Sequence, residues 1–224
     1  MNDAERALRQ QVIDTCRSLE KHGLNQGTSG NVSVRCAANS AEGFYLTPTS
    51  LSYDAMVPED IVHVSAEGRC TGRCRPSSEL PFHLEIMRQR PEVGAVIHTH
   101  SPQVTTLACL RKDLPAVHYL VGLFGGNNIR CAEYATFGTP ELSTNLLRAL
   151  TGRRAAMMAN HGLVILGADL PQALALTLEA ETLAKIYLGA LSAGAPVILS
   201  DAEMQVIVEK FRSFGYGPVA APMI

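Results

Sequence analysis

The stretch "VGAVIHTHSP", residues 93–102, places two histidines directly after an apolar run. The apolar run predicts a buried β-strand over residues 93–98. Residues two apart in a strand point to the same face, so His98 and His100 are expected to project side by side if the strand continues to residue 100. Two imidazole nitrogens in that arrangement can bind one metal ion.

A third metal ligand has to come from elsewhere in the chain. His161, in "MANHGLV", lies between two predicted strands, "AAMMAN" (155–160) and "GLVILG" (162–167). Three histidines with one open position are typical of a catalytic zinc site. An HxH pair also arises by chance, and the spacing alone leaves hydrogen-bonded structural histidines as an alternative. The other four histidines, His22, His63, His83 and His118, lack such a partner, and the first three are expected to be exposed or to be satisfied by a local hydrogen bond.

A carboxylate is needed if the metal acts on a C–H or C–C bond, and Glu79 is the candidate. It follows Ser77 and Ser78 at the start of a predicted helix, "SSELPFHLEIMRQRP" (77–91). Helix N-termini attract anions, although an ordinary helix cap explains the same residues. The turns "GTSGN" (27–31) and "TPTS" (47–50) offer further phosphate-binding amides, with simple turn chemistry as the alternative.

The predicted elements mix helices and strands without a regular βαβ repeat. A helix over residues 4–22 is expected to begin at Asp3 as its N-cap and to stop at Gly23. The other predicted strands span residues 31–35, 44–48, 61–65, 116–121 and 128–134, and the other helices begin at Ser101 and span 139–150, 169–194 and 200–215. We predict a single α/β domain over residues 1–224, with a mixed, largely antiparallel central sheet flanked by helices on both faces.

The composition restricts the kinds of partner. The chain has 224 residues, 46% of them hydrophobic, and a formal net charge of −2, which gives no electrostatic reason to expect nucleic acid or an anionic membrane. The N-terminus is charged, and no apolar run approaches the roughly 20 residues of a bilayer span. The six cysteines are too scattered for a disulfide framework. These features predict a cytoplasmic protein with reduced thiols.

Seven motifs, taken in order, cover almost the whole chain: "GLNQGTSGNVSVR" (23–35), "LTPTSLSYDAM" (46–56), "PSSELPFH" (76–83), "AVIHTHSP" (95–102), "PAVHYLVGLFGGNNIRCAEYATFGTPEL" (115–142), "NHGLV" (160–164) and "LSDAEMQVIVEKF" (199–211). Together they resemble the class II aldolase and epimerase superfamily, and within it L-fuculose-1-phosphate aldolase most of all. Motifs in this order are far more specific than an isolated HxH pair.

The resemblance implies a zinc ion held by His98, His100 and His161, with Glu79 as the fourth ligand and with Mn²⁺ or Co²⁺ as alternative metals. It also implies a homotetramer with active sites between subunits and a small sugar phosphate as substrate. By position, five residues match the phosphate-binding loops of the family: Asn31, Thr49, Ser50, Ser77 and Ser78. Position 50 is glycine in the fuculose-phosphate aldolases.

Three residue differences separate the branches of the superfamily. The epimerases carry aspartate at the position of Glu79, so glutamate favours C–C cleavage. The methylthioribulose-phosphate dehydratases use a glutamate in the stretch that reads "VHYLV" here, and Tyr119 matches the catalytic tyrosine of the aldolases instead. Adducin-like structural members are expected to lose the histidines that this chain keeps.

The reaction implied by the resemblance is cleavage of a ketose 1-phosphate to dihydroxyacetone phosphate and an aldehyde. In this reaction Glu79 is the base or acid at C3. Tyr119 comes from across a subunit interface and exchanges the proton at the C4 oxygen. A Schiff-base aldolase has little support, because the chain has only four lysines and none lies next to the proposed metal ligands. The sequence also leaves open an epimerase or decarboxylase of the same superfamily, and a non-catalytic adducin-like module.

The C-terminus departs from the family pattern. Phe214 stands where the fuculose-phosphate aldolases carry a tyrosine in a mobile tail, and Tyr216 follows two residues later. We expect a mobile tail over residues 212–224, in which Tyr216 takes over the contact or in which the aldehyde site is more apolar. L-Fuculose 1-phosphate and a 5-deoxy- or 5-methylthio-pentulose 1-phosphate, such as the ribulose derivatives, are therefore both open as substrates.

Overall fold

The computed structural model describes residues 1–36 and 42–215. Nine strands form one sheet in the order β4-β3-β2-β1-β5-β9-β8-β7-β6. The strands are β1 (Asn31–Arg35), β2 (Phe44–Leu46), β3 (Val62–Val64), β4 (Cys70–Thr71), β5 (Ala95–Thr99), β6 (Leu114–Pro115), β7 (Asn128–Ala132), β8 (Ala155–Met158) and β9 (Gly162–Gly167). Among the described strands only β7 and β8 pair in parallel, which confirms the predicted mixed, largely antiparallel sheet.

Strand β5 occupies the middle of the sheet and carries the opening motif. It pairs antiparallel with β1 on one side and with β9 on the other, so that His98 lies opposite Asn31 and Val164. All five of its residues are buried. Ile97 belongs to one apolar core and Val96 to the other. The strand therefore has a continuous apolar sequence because both faces of the sheet are covered.

Helices cover both faces, as predicted. The six helices of the described residues are α1 (Asp3–Lys21), α2 (Leu80–Gln89), α3 (Pro102–Cys109), α4 (Pro140–Ala149), α5 (Leu170–Ala193) and α6 (Asp201–Ser213). Helices α1, α3 and α5 pack over one face, and α2 and α4 over the other. None of them has both the length and the apolar character that a bilayer span requires.

Two sequence predictions about helix starts need correction. The N-cap of α1 is Asn2, whose side-chain oxygen accepts a hydrogen bond of 2.9 Å from the Glu5 amide, and Asp3 is already helical. Helix α2 begins at Leu80 rather than at Ser77, and Glu79 is its N-cap residue. The later start leaves Ser77, Ser78 and Glu79 in irregular backbone, free to face the same cleft.

The strand predicted over residues 116–121 is wrong. Residues Tyr119–Phe124 form a 3₁₀ helix, which packs against α6. His118 caps it, since its Nδ1 accepts a hydrogen bond from the Leu120 amide at 3.3 Å. A short apolar run is compatible with a buried helical turn as well as with a strand, so the periodicity of the sequence could not distinguish these two structures.

Candidate active site

The three predicted histidines meet at the ends of three central strands. His98 is the fourth residue of β5, His100 follows the strand end, and His161 lies in the tight turn between β8 and β9. The Nε2 atoms of His98 and His100 are 3.0 Å apart. One ring nitrogen from each of the three histidines lies within 4.8 Å of the other two. The structure therefore brings together, at one point, the ligands that the sequence spread over more than sixty residues.

Gly162 makes this close approach possible. A Cβ atom at this position would lie 2.3 Å from the Thr99 carbonyl oxygen, 3.0 Å from the His100 ring and 3.2 Å from the His98 ring. The glycine after His161 in "NHGLV" is therefore a packing requirement of the histidine cluster.

Glu79 completes the cluster from the opposite side. One carboxylate oxygen, Oε2, lies 3.0 Å from Nε2 of His98, and the other, Oε1, lies 3.2 Å from Nε2 of His161. The Asn31 side chain donates a hydrogen bond of 2.8 Å to Oε2. Oε1 is buried and makes no hydrogen bond among the described residues.

These donor atoms fit a divalent metal ion. In a tetrahedral zinc site with bonds of about 2.0–2.1 Å, two ligand atoms lie roughly 3.3–3.4 Å apart. The spacings of 3.0–3.2 Å between Glu79 and the histidines are close to that value. The Nδ1–H of His98 donates to the Leu163 carbonyl at 2.9 Å, which leaves Nε2 free to face the centre. His98, His100, His161 and Glu79 are thus the residues that would hold the metal.

The electrostatics favour the metal-binding protonation states of His100, His161 and Glu79. Burial alone would lower the pKa of His98, but the Glu79 carboxylate and the Leu163 carbonyl raise it above its usual value. Burial lowers the pKa of His100 and of His161 to about 4, so both rings are neutral at pH 7. Burial alone would raise the pKa of the Glu79 carboxyl, but the His98 and His161 rings and the Asn31 amide hold it below its usual value. Neutral imidazoles and an ionised carboxylate are the metal-binding forms.

A cleft of about 430 Å³ opens from the histidine cluster to the surface. It is lined by all five residues predicted for phosphate binding, namely Asn31, Thr49, Ser50, Ser77 and Ser78, together with Glu79, His100 and His161. The Thr49 and Ser50 hydroxyls lie 3.3 Å apart, and Ser77 Oγ accepts a 3.2 Å hydrogen bond from the Glu79 amide. Hydroxyls and amides thus lie near the N-terminus of α2, where the helix dipole favours a bound anion.

The two predicted tyrosines are placed differently. Tyr119 does not line this cleft. It is 49% exposed, and its ring contacts Phe211 of α6 at a centroid distance of 6.2 Å. Tyr216 lies outside the described residues, as does most of the predicted tail.

Several residues of the site were not predicted. Tyr134, Phe137 and Asn160 line the cleft, and the first two are exposed aromatic residues in the loop "EYATFGTPEL" (133–142). The sequence signal that could have identified Tyr134 and Phe137 is a pair of aromatic residues within a stretch of small residues. His83 was expected to be exposed or locally bonded, but it is fully buried and bonds to residues of β1. His22 fits the expectation, since Nδ1 bonds to the Ser18 carbonyl at 2.7 Å.

Comparison with known proteins agrees with this geometry. The Class II Aldolase and Adducin N-terminal domain family matches residues 10–188. A 5-methylthioribulose-1-phosphate/5-deoxyribulose-1-phosphate aldolase of Rhodospirillum rubrum is 46% identical, over 93% of this chain and 93% of the relative. An L-fuculose phosphate aldolase of Escherichia coli K12 is 42% identical, over 93% and 95%.

A solved structure has the same fold. An L-fuculose 1-phosphate aldolase superimposes with a TM-score of 0.87 and 38% identity, over 92% of this chain and 96% of that one. The family match over residues 10–188 includes the strands and loops that carry the histidine cluster, and all three histidines are present here. The chain therefore belongs to the class II aldolase and adducin family, as a metal-dependent aldolase.

Proposed function

We propose that the protein cleaves a ketose 1-phosphate to dihydroxyacetone phosphate and an aldehyde. The observation that carries the proposal is the layout of one cleft. Glu79, His100 and His161 line it next to the buried His98, and the hydroxyls of Thr49, Ser50, Ser77 and Ser78, which we propose bind the phosphate, line the same space. Zinc, or Mn²⁺ or Co²⁺ in its place, supplies a Lewis acid for carbanion chemistry when bound.

Glu79 is the proposed proton carrier at C3. When the C3–C4 bond breaks, its electron pair remains on the dihydroxyacetone phosphate fragment, and C3 must then gain a proton. The carboxylate is buried next to the histidines, and its Oε1 lies 3.2 Å from Nε2 of His161 without a hydrogen bond among the described residues. In the reverse direction the same carboxylate removes the C3 proton.

Tyr119 is the proposed group at the C4 oxygen, whose proton leaves as the aldehyde forms. Because Tyr119 lies outside the cleft of its own chain, the proposal requires a second subunit to supply it. Helix α6, which packs against the 3₁₀ helix of Tyr119, supports such a contact, since Val206 on it and Phe214 at its end are exposed apolar residues. A homotetramer with active sites between subunits fits this requirement.

The aldehyde end of the cleft favours a substrate with few hydroxyl groups. Tyr134 and Phe137 line it with half-exposed aromatic rings, and Phe214 replaces the tail tyrosine of the fuculose-phosphate aldolases. Apolar rings gain more from a 5-deoxy or 5-methylthio terminus than from a hydroxylated chain. We therefore favour 5-deoxy- or 5-methylthio-ribulose 1-phosphate, with L-fuculose 1-phosphate as the alternative.

The experiment combines metal analysis with a coupled assay for dihydroxyacetone phosphate. We expect about one divalent metal ion per chain, loss of cleavage after chelation by EDTA, and recovery on adding Zn²⁺, Mn²⁺ or Co²⁺. A panel of ketose 1-phosphates should rank the 5-deoxy and 5-methylthio compounds above L-fuculose 1-phosphate. Metal-free protein whose cleavage EDTA leaves unchanged refutes the proposed mechanism, and an epimerised product in place of an aldehyde refutes the proposed reaction.

The variant Glu79→Gln tests the role of the carboxylate. It keeps the shape of the side chain but cannot carry the C3 proton, so exchange of that proton of dihydroxyacetone phosphate with D₂O should fall by about 10²- to 10⁴-fold while metal remains bound. Proton exchange that continues at the wild-type rate removes Glu79 from this role.

A further inference from the structure

His83 is a fully buried histidine that lies outside the metal cluster. It stands on α2, one turn after Glu79, and both of its ring nitrogens have partners on β1. Nε2 lies 2.5 Å from Oδ1 of Asn31, and Nδ1 lies 2.7 Å from the Ser33 hydroxyl. The Asn31 amide in turn contacts Glu79 at 2.8 Å. A continuous chain of hydrogen bonds thus runs from Ser33 through His83 and Asn31 to Glu79.

The carboxylate fixes the direction of every bond in this chain. An ionised carboxylate only accepts hydrogen bonds, so Asn31 must turn its NH₂ group towards Glu79 and its carbonyl oxygen towards His83. The Nε2 atom of His83 must then carry a hydrogen. The neutral ring is left with Nδ1 as an acceptor, which accepts a hydrogen bond from the Ser33 hydroxyl.

The neutral state of His83 agrees with its surroundings. Burial lowers the pKa of the imidazole to about 3, and the ring stacks on Phe82 at a centroid distance of 4.6 Å. A neutral imidazole between one acceptor and one donor has every polar atom satisfied. Buried polar chains that are fully satisfied hold their members in one arrangement.

We propose that His83 is a positioning residue for the aldolase reaction, acting through the Asn31 amide to hold the Glu79 carboxylate in its working orientation. The inference rests on the proposed role of Glu79. Without the Nε2–H donor, the Asn31 amide loses the bond that fixes its orientation. Its carbonyl oxygen can then turn towards the carboxylate, which it repels.

Two amide replacements, His83→Gln and His83→Asn, distinguish the roles of the two ring nitrogens. The side-chain amide of His83→Gln can place an NH₂ group near the position of Nε2 and so keep the donor to Asn31. His83→Asn reaches only as far as Nδ1 and loses that donor. We expect His83→Asn to lower kcat by about 10- to 100-fold with little change in KM, as is typical for partners of metal-site ligands. His83→Gln should recover most of the loss.

Ile86→Ala is the matched control. Ile86 is equally buried on α2 and lies three residues further along, but its side chain is apolar and cannot join the hydrogen-bond chain. Its truncation should lower the melting temperature without changing kcat. If all folded His83 variants keep wild-type kcat, or if kcat follows melting temperature across the whole set, His83 is only a core residue and the inference is overturned.

A spectroscopic readout separates failure of this inference from failure of the proposed function. Visible absorption of the Co²⁺-loaded protein reports the ligand geometry, whichever substrate is turned over. We expect the Co²⁺ bands to change in His83→Asn and to stay as in wild type in His83→Gln and Ile86→Ala. Unchanged bands in His83→Asn overturn the inference. Absence of cleavage by the wild-type protein, with the expected band changes present, refutes only the proposed function.

Discussion

Ser50 shows how one residue of the cleft combines backbone strain with a binding group. It has a φ of 59°, in the left-handed region that L-residues avoid, and its exposed side chain lines the cleft among the residues proposed to bind phosphate. Glycine would occupy this backbone conformation without a Cβ clash. Serine at this position therefore costs stability and adds a hydroxyl where an anion is expected.

Two variants of Ser50 should separate these effects. Ser50→Gly and Ser50→Ala both lose the hydroxyl, so both should raise KM for the ketose 1-phosphate by roughly 10-fold, the effect of one hydrogen bond to a charged group. Only Ser50→Gly also removes the strain, and it should gain roughly 0.5–1 kcal/mol in free energy of unfolding. Steady-state kinetics and urea denaturation measure the two quantities. An unchanged KM in both variants means that the hydroxyl does not contact phosphate.

The sequence predicted the histidine cluster because its members lie at predicted strand ends: His98 and His100 are two apart, and His161 lies between two strands. Glu79 stood out as the carboxylate at a predicted helix start, and the family motifs supported the whole set. The sequence did not predict His83, whose partners lie about fifty positions away on β1. A buried polar contact between distant elements leaves no periodic pattern in the chain. Long-range polar satisfaction is therefore visible only in the fold.

At the level of elements, the central strands were predicted well and the short edge elements were not. Strands β5, β8 and β9 are apolar runs bounded by glycine or histidine, and the structure confirms them. The second half of the run "AVHYLV" belongs to the 3₁₀ helix Tyr119–Phe124, which packs closely against α6: a Cβ on Gly122 would lie 3.1 Å from Ile207. Tertiary packing decides such short segments, whose own sequence suits either structure.

The contact between β5 and β9 at Gly162 gives a prediction about both stability and metal binding. Gly162→Ala brings a Cβ to 2.3 Å from the Thr99 carbonyl, so the two strand ends must separate. We expect a loss of about 1–3 kcal/mol in free energy of unfolding and a lower metal content, since His100 and His161 move apart. Urea denaturation and elemental analysis of the purified protein measure these changes.

Gly189→Ala is the control for this prediction. Gly189 lies within α5, and a Cβ there meets no atom within 4 Å. Gly189→Ala should raise the free energy of unfolding by roughly 0.5–1 kcal/mol and leave the metal content unchanged. If Gly162→Ala behaves like this control, the close approach of the strand ends does not shape the site.

At the scale of the whole molecule, the cleft of one chain does not contain all the residues proposed for catalysis. Glu79, His100 and His161 line the cleft, whereas Tyr119 is exposed on the 3₁₀ helix beside α6. The role proposed for Tyr119 therefore requires a tyrosine from another chain. We propose a closed assembly in which each subunit gives its Tyr119 to a neighbour.

Mixed assemblies of two inactive variants test this arrangement. Glu79→Gln and Tyr119→Phe should each lose about 10²-fold or more in kcat when assembled alone. Co-expressed with two different affinity tags and purified through both, they should recover activity, because a site that takes Glu79 from one variant and Tyr119 from the other is intact. Random mixing makes about one quarter of the sites intact, so we expect roughly a quarter of wild-type activity. If each chain used its own Tyr119, no site in the mixture would be intact, and doubly purified assemblies without activity would therefore refute sites shared between subunits.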